Sequence, residues 1–133
     1  MEQEKVFNAL VIEKDGKVRE LVETLLKKRN YSLEFLSNSY EAILFLKENN
    51  CPIAILGDTD DNADPFEAMK KIVPASPMTS LILITDEEKE KVDDTAEGYG
   101  ILGHVKRTIP ADQLTPLLAQ FEAICAVLSP PAC

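Results

Sequence analysis

The chain has 133 residues, 45% of them hydrophobic, which suits one ordinary domain with one substantial core. Its 23 acidic and 14 basic side chains give a formal net charge of −9. A surface this acidic repels phosphate backbones, which excludes nucleic acid as the expected partner and favours proteins with basic patches.

Residues 7–12 form a short apolar run without clean alternation, which predicts a strand buried on both faces. Val18, Leu21, Val22, Leu25 and Leu26 then recur at helical spacing, with Lys27, Lys28 and Arg29 in the last turn. Residues 31–36 alternate like a strand, and Ser37, Asn38 and Ser39 offer caps for a helix to about Lys47. Residues 52–56 predict another buried strand. Asp64 as cap, Pro65 at the first helical position and Glu67 where a capping box wants an acid predict a third helix, with Phe66, Met69 and Ile72 facing inward.

Residues 80–85 make the most apolar strand. The stretch 87–97 is very polar, and only Val92 and Ala96 can anchor it, so a short, weakly held helix is expected there. A last strand spans 101–106. Leu114, Leu117, Leu118, Phe121, Ile124 and Leu128 mark a final amphipathic helix. Pro116 lies inside that pattern. Either the helix starts with Thr115 as cap and Pro116 as first residue, leaving 110–114 as a separate turn, or it kinks there.

Five repeats of strand then helix imply an α/β fold, a parallel sheet with helices on both faces. The expected domain spans 1–128, with 129–133 as a frayed end or the start of a linker. Cys51, Cys125 and Cys133 are odd in number and lack metal-ligand spacing, so they read as free thiols in a reducing, cytoplasmic compartment. No apolar run approaches the ~20 residues that span a bilayer, so no membrane is expected to be involved. Ligands of open parallel sheets sit at the carboxyl ends of the strands. Here those ends carry Glu13-Lys14-Asp15, Gly57-Asp58, Thr85-Asp86 and Lys106-Arg107.

These strand ends, with the opening Leu10-Val11-Ile12-Glu13-Lys14-Asp15-Gly16-Lys17, resemble a response-regulator receiver domain from about Val6 to Val127. The resemblance implies a CheY-like, flavodoxin-like (βα)5 fold with a five-stranded parallel sheet. In that family, two acids after the first strand hold Mg²⁺ and an aspartate after the third takes a phosphoryl group. A Thr or Ser after the fourth strand and a Lys after the fifth bind its charge. Positioning and charge stabilisation carry such chemistry.

Laid on the family without gaps, the chain keeps Glu13 as the first acid but has Lys14 as the second. Gly57 stands in place of the acceptor, Thr85 is retained, Arg107 stands for the lysine, and His104 holds the switch-aromatic position. Glycine supplies no nucleophile. Exchanging an anion for a cation about 4 Å from a divalent ion costs several kcal/mol even at an effective dielectric near 20. The Lys14 ammonium either replaces the metal and pairs with Glu13, or points into water. A structural lock between Glu13 and Arg107 across the sheet end is also expected. Thr85, Lys106 and Arg107 could form a small basic pocket near Gly57.

The resemblance therefore implies a degenerate receiver, not an enzyme, that needs no cofactor and acts by binding a protein partner. One alternative is a working acceptor at Asp58, with Mg²⁺ on Glu13 and Asp58. A bulge at Gly57 would bring Asp58 into place, and a matching slip would make Lys106 the family lysine. Another is a structural or dimerising domain, pairing as a homodimer through the face of the fourth helix, fifth strand and fifth helix, where His104 lies. The loop with Asp58, Asp60, Asn62 and Asp64 echoes a calcium loop, but Ala63 and Met69 stand where Gly and Glu belong. His104 is the only histidine and has no Ser or Cys beside it in a motif, so hydrolysis is not indicated; a partly buried ring is expected.

Overall fold

In the computed structural model, which describes residues 7–61 and 64–128, strand and helix alternate five times. The strands are β1 (Phe7–Ile12), β2 (Tyr31–Leu36), β3 (Ile53–Leu56), β4 (Ser80–Ile84) and β5 (Gly103–Val105). The helices are α1 (Gly16–Lys27), α2 (Ser39–Glu48), α3 (Pro65–Ala75), α4 (Lys89–Ala96) and α5 (Ala111–Leu128). All strand pairings are parallel, in the order β2-β1-β3-β4-β5. This is the parallel sheet that the strand–helix alternation predicts, in the five-stranded flavodoxin-like order that the resemblance implies.

Apart from Asn8 and Ser80 near their starts, the three central strands are apolar because both their faces are covered. Val11, Ile55, Ile82 and Ile84 pack with Val22, Leu26, Leu114 and Leu118 of α1 and α5. Leu10, Ile12, Leu56 and Leu83 pack on the other face with residues of α2, α3 and α4, among them Leu46, Met69 and Val92. Burying such a side chain contributes roughly 1.5–3 kcal/mol.

Helix starts follow local side-chain chemistry. Asp15 accepts from the N–H groups of Lys17 and Val18, Asn38 from those of Tyr40 and Glu41, and Asp64 from that of Phe66. Glu67 does not reach back to the cap; its carboxylate pairs with Lys70 at 3.3 Å. Helix α4 is only eight residues long, buries only Val92 and Ala96, and has no side-chain cap bond at Glu88.

The last helix does not start at Pro116, and residues 111–114 belong to it and not to a separate turn. It begins at Ala111 and runs through Pro116. The Pro110 carbonyl accepts from Gln113 and Leu114 and so opens the helix one turn earlier. Pro116 has no N–H to give the Asp112 carbonyl, and both residues lie on the exposed side of the helix. The strand ends also retreat, β4 to Ile84 and β5 to 103–105. The β5 backbone is overlain by Leu117, which lies where a Cβ on Gly103 would meet it at 2.6 Å. The tail 129–133, with Cys133, lies outside the described residues, as do Asn62 and Ala63. Cys51 and Cys125 are buried, and neither is in a disulfide. Among the described residues no helix is long and apolar enough to cross a membrane.

At the opposite pole from the strand ends, α5 is tied to β2. Arg29 donates to both oxygens of Glu122 at 3.0 and 2.6 Å, and the Tyr31 hydroxyl donates to Glu122 at 2.8 Å. Burial pushes the Glu122 carboxyl up, but the bonds from Arg29 and Tyr31 outweigh it and its pKa falls below the usual value. A depressed folded pKa stabilises above the unfolded value, about 4.3, and that contribution is lost as pH falls through the folded value. Glu122→Gln should therefore cost stability at neutral pH, and the gap from wild type should shrink as acid is added. Urea midpoints of both proteins against pH check this. A gap unchanged from neutral pH into acid would mean that the network does not titrate.

Candidate functional site

Four strand ends meet at one edge of the sheet. Glu13 follows β1, Gly57 and Asp58 follow β3, Thr85 and Asp86 follow β4, and Lys106 and Arg107 follow β5. The neighbours β1 and β3 carry chain crossovers in opposite directions, which makes this edge the switch point of the fold.

Glu13 is fully buried. Arg107 grips it with two parallel bonds, Nη1 to Oε1 at 3.0 Å and Nη2 to Oε2 at 2.9 Å. The Asp58 N–H adds a bond to Oε1 at 3.0 Å, and the Asp15 N–H adds one to Oε2 at 2.9 Å. An ionised carboxylate has about four acceptor sites, and here all are taken. Hydrogen bonding to Glu13 raises the Arg107 pKa further above its ordinary value, against the opposing effect of burial. The expected pair across the sheet end is thus made, and it is bidentate.

Gly57 is what allows it. A Cβ at this position would lie 1.9 Å from Glu13 Oε1 and 3.3 Å from Arg107 Nη1. The Glu13 carboxylate fills the volume that a side chain at 57 would occupy. The Gly57 N–H remains bonded to the Ile12 carbonyl at 2.8 Å, so β3 is still joined to β1 here.

Asp58 lies at the rim, with its carboxylate 3.3 Å from Arg107 Nη1. Burial raises its pKa; Arg107 opposes this and the Glu13 charge adds to it. Lys14 is exposed, and its N–H bonds the Asp58 carbonyl at 2.9 Å. The idea that its ammonium pairs with Glu13 is corrected: the cation on Glu13 is Arg107. Lys106 also stays out of the site. Its side chain is exposed and its N–H bonds Gln113 at 3.0 Å, because adjacent residues leaving β5 point apart. The basic pocket of Thr85, Lys106 and Arg107 is therefore not assembled.

The buried Thr85 hydroxyl accepts from the Glu87 N–H at 3.2 Å and lines a cleft of about 320 Å³ with Asp58, Phe66 and Lys91. Asp86, placed at this edge by the sequence reading but given no role there, accepts the Arg107 N–H at 3.0 Å. Arg107 thus ties the β1, β3 and β4 ends to β5. His104 is half-buried and lines a separate groove of about 400 Å³ with Glu87, Lys106 and Leu117.

Asn62 lies outside the described residues, and the described acids of the loop after β3 do not converge like a calcium site. Asp58 faces Arg107, Asp64 caps α3, and Asp61 accepts from the backbone N–H of Ser39 at 2.9 Å and from its hydroxyl. Burial would raise the Asp61 pKa, but the bonds from Ser39 win and lower it. No group of three or more His, Cys, Asp or Glu among the described residues is placed to hold a metal.

No known family profile and no curated protein sequence matches the chain. Its fold is matched by solved structures. A CheY-like response-regulator receiver domain protein from Methanospirillum hungatei superposes with a TM-score of 0.75 at 13% identity, over 90% of this chain and 96% of that one. The signal receiver domain of an HD domain-containing protein from Pseudomonas fluorescens gives 0.74 at 20% identity, over 86% and 85%. The receiver domain of a modulated diguanylate cyclase from Desulfovibrio desulfuricans gives 0.72 at 17% identity, over 87% and 93%. The chain has the CheY-like receiver fold, at 13–20% sequence identity to these structures.

The site does not fit the Mg²⁺ that the sequence resemblance implies. The second acid position is Lys14, position 57 has no carboxylate, and the Glu13 carboxylate has its acceptor sites filled by Arg107 and two backbone N–H groups.

Proposed function

We propose that this chain is a pseudo-receiver. It takes part in signal transduction by presenting a fixed surface to a protein partner, independently of aspartyl phosphorylation. One observation supports this above the others: the buried Glu13 carboxylate occupies the place of the side chain at 57 and is held there by Arg107. An internal anion already neutralises the cation that a phosphoryl group would otherwise attract. In this reading the domain catalyses nothing and needs no cofactor.

Asp58 supports a second reading. Its carboxylate contacts Arg107 and opens onto the Thr85 cleft, where a phosphoryl group could be received. An amide NMR titration with Mg²⁺, then Mg²⁺ plus beryllofluoride, separates the two. The pseudo-receiver gives no saturable shifts at Glu13, Asp58 and Thr85 at millimolar metal. Saturable shifts there that vanish in Asp58→Asn would establish Asp58 as an acceptor and sink the phosphorylation-independent reading.

A further inference from the structure

We propose that the carboxyl edge of the sheet is a carboxylate receptor occupied by the chain's own Glu13. The donors define the ligand. Two N–H groups of Arg107 and the backbone N–H groups of Asp15 and Asp58 converge on two oxygens, with one guanidinium and one backbone donor for each. Four donors shared by two oxygens match a carboxylate, and because an Arg fork also takes phosphate, inorganic phosphate is the competing ligand in the test. The donors are held by the fold and not by Glu13 alone. Asp15 caps α1, the Asp58 carbonyl is bonded by Lys14, and the Arg107 N–H is fixed by Asp86. The Glu13 carboxylate is fully buried, so a free acid reaches the donors only after Glu13 leaves.

Removing the side chain beyond Cβ should therefore leave a vacancy that free acetate or formate fills. Asp58, with its carboxylate 3.3 Å from the guanidinium, is the internal competitor. This inference deepens the pseudo-receiver reading and rests on the same Glu13–Arg107 pair. Its test fails separately, because acetate binding needs no Asp58 carboxylate whereas beryllofluoride binding does.

The full chain and its Glu13→Ala, Glu13→Gln and Glu13→Ala/Arg107→Ala variants are unfolded thermally in sodium acetate and in sodium chloride of equal ionic strength, which holds screening constant. For Glu13→Ala the folded-to-unfolded ratio should rise about tenfold at acetate ten times its Kd. Wild type and Glu13→Gln, whose sites are filled, should not respond, and neither should the double variant. Glu13→Ala/Asp58→Asn, freed of the competitor, should respond at lower acetate than Glu13→Ala. If Glu13→Ala does not fold in chloride, its refolding yield in acetate against chloride becomes the measurement, and equal yields overturn the proposal. So does a wild type that gains as much as Glu13→Ala, or a Glu13→Ala that gains no more than the double variant. Inorganic phosphate acting better than acetate would overturn the carboxylate assignment.

Discussion

Arg107→Ala should lower folding stability by about 3–5 kcal/mol, the usual cost of leaving one member of a buried ion pair without its partner. Glu13 is fully buried and would keep only the two backbone donors from Asp15 and Asp58. Its carboxylate cannot turn to water without dismantling the strand end. Glu13→Gln should cost less, about 1–3 kcal/mol. The amide keeps an acceptor but sets an NH₂ group against the donors of Asp15 and Arg107. Arg107, with 24% of its side chain exposed, can turn toward Asp58 or solvent. Combining the two changes should cost clearly less than the sum, because they remove the same contact. Urea unfolding of the four proteins at neutral pH measures this. If Arg107→Ala lies within about 1 kcal/mol of wild type, the pair is peripheral and the case for a locked site fails.

The fold was legible because its signals are local or repetitive. Buried runs such as residues 53–56 carry no polar face, so they read as central parallel strands. Caps such as Asn38 and Asp64 act over two or three residues and mark helix starts directly. Helix α5 was harder. Pro116 is a strong local stop signal, but its exposed position and the bonds to the Pro110 carbonyl override it.

The site was legible only in part. The resemblance brought Glu13, Gly57 and Arg107 to one edge, yet it could not choose between Gly57 with Arg107 and Asp58 with Lys106. Neighbouring residues at a strand end are both polar and differ only in where they point. The structure decides by side-chain direction: Arg107 enters the site and Lys106 leaves it. Nor does sequence tell how far a glutamate reaches over a glycine on the next strand. The Arg29–Tyr31–Glu122 network and the Ser39–Asp61 tie had no sequence signal at all. Their partners lie 93, 91 and 22 residues apart, and nothing in their spacing marks them.

Gly57→Asp, which restores the family's acceptor residue type, should by itself be one of the most damaging single changes in the chain. Its Cβ alone would stand 1.9 Å from Glu13 Oε1. That oxygen ends a flexible side chain, so the clash could be relieved cheaply if the carboxylate were free to turn. It is not free, because it is buried and accepts four hydrogen bonds. Moving it breaks the Arg107 pair, for about 3–5 kcal/mol, and Asp adds a second carboxylate beside the first. Gly57→Ala should carry the steric part without the added charge. In the Glu13→Ala background the sign should reverse. The Cβ at 57 sits 3.3 Å from Arg107 Nη1, so an aspartate there can take over the guanidinium once Glu13 has vacated it. Glu13→Ala/Gly57→Asp should then be more stable than either single variant. Urea midpoints of the three variants decide the matter. Gly57→Asp within about 1 kcal/mol of wild type would mean that Glu13 yields its place readily. A double variant no better than Glu13→Ala would mean that position 57 does not address Arg107. The recovery expected here would show that an aspartate at 57 can hold Arg107 in place of Glu13, and that the two positions compete for one guanidinium.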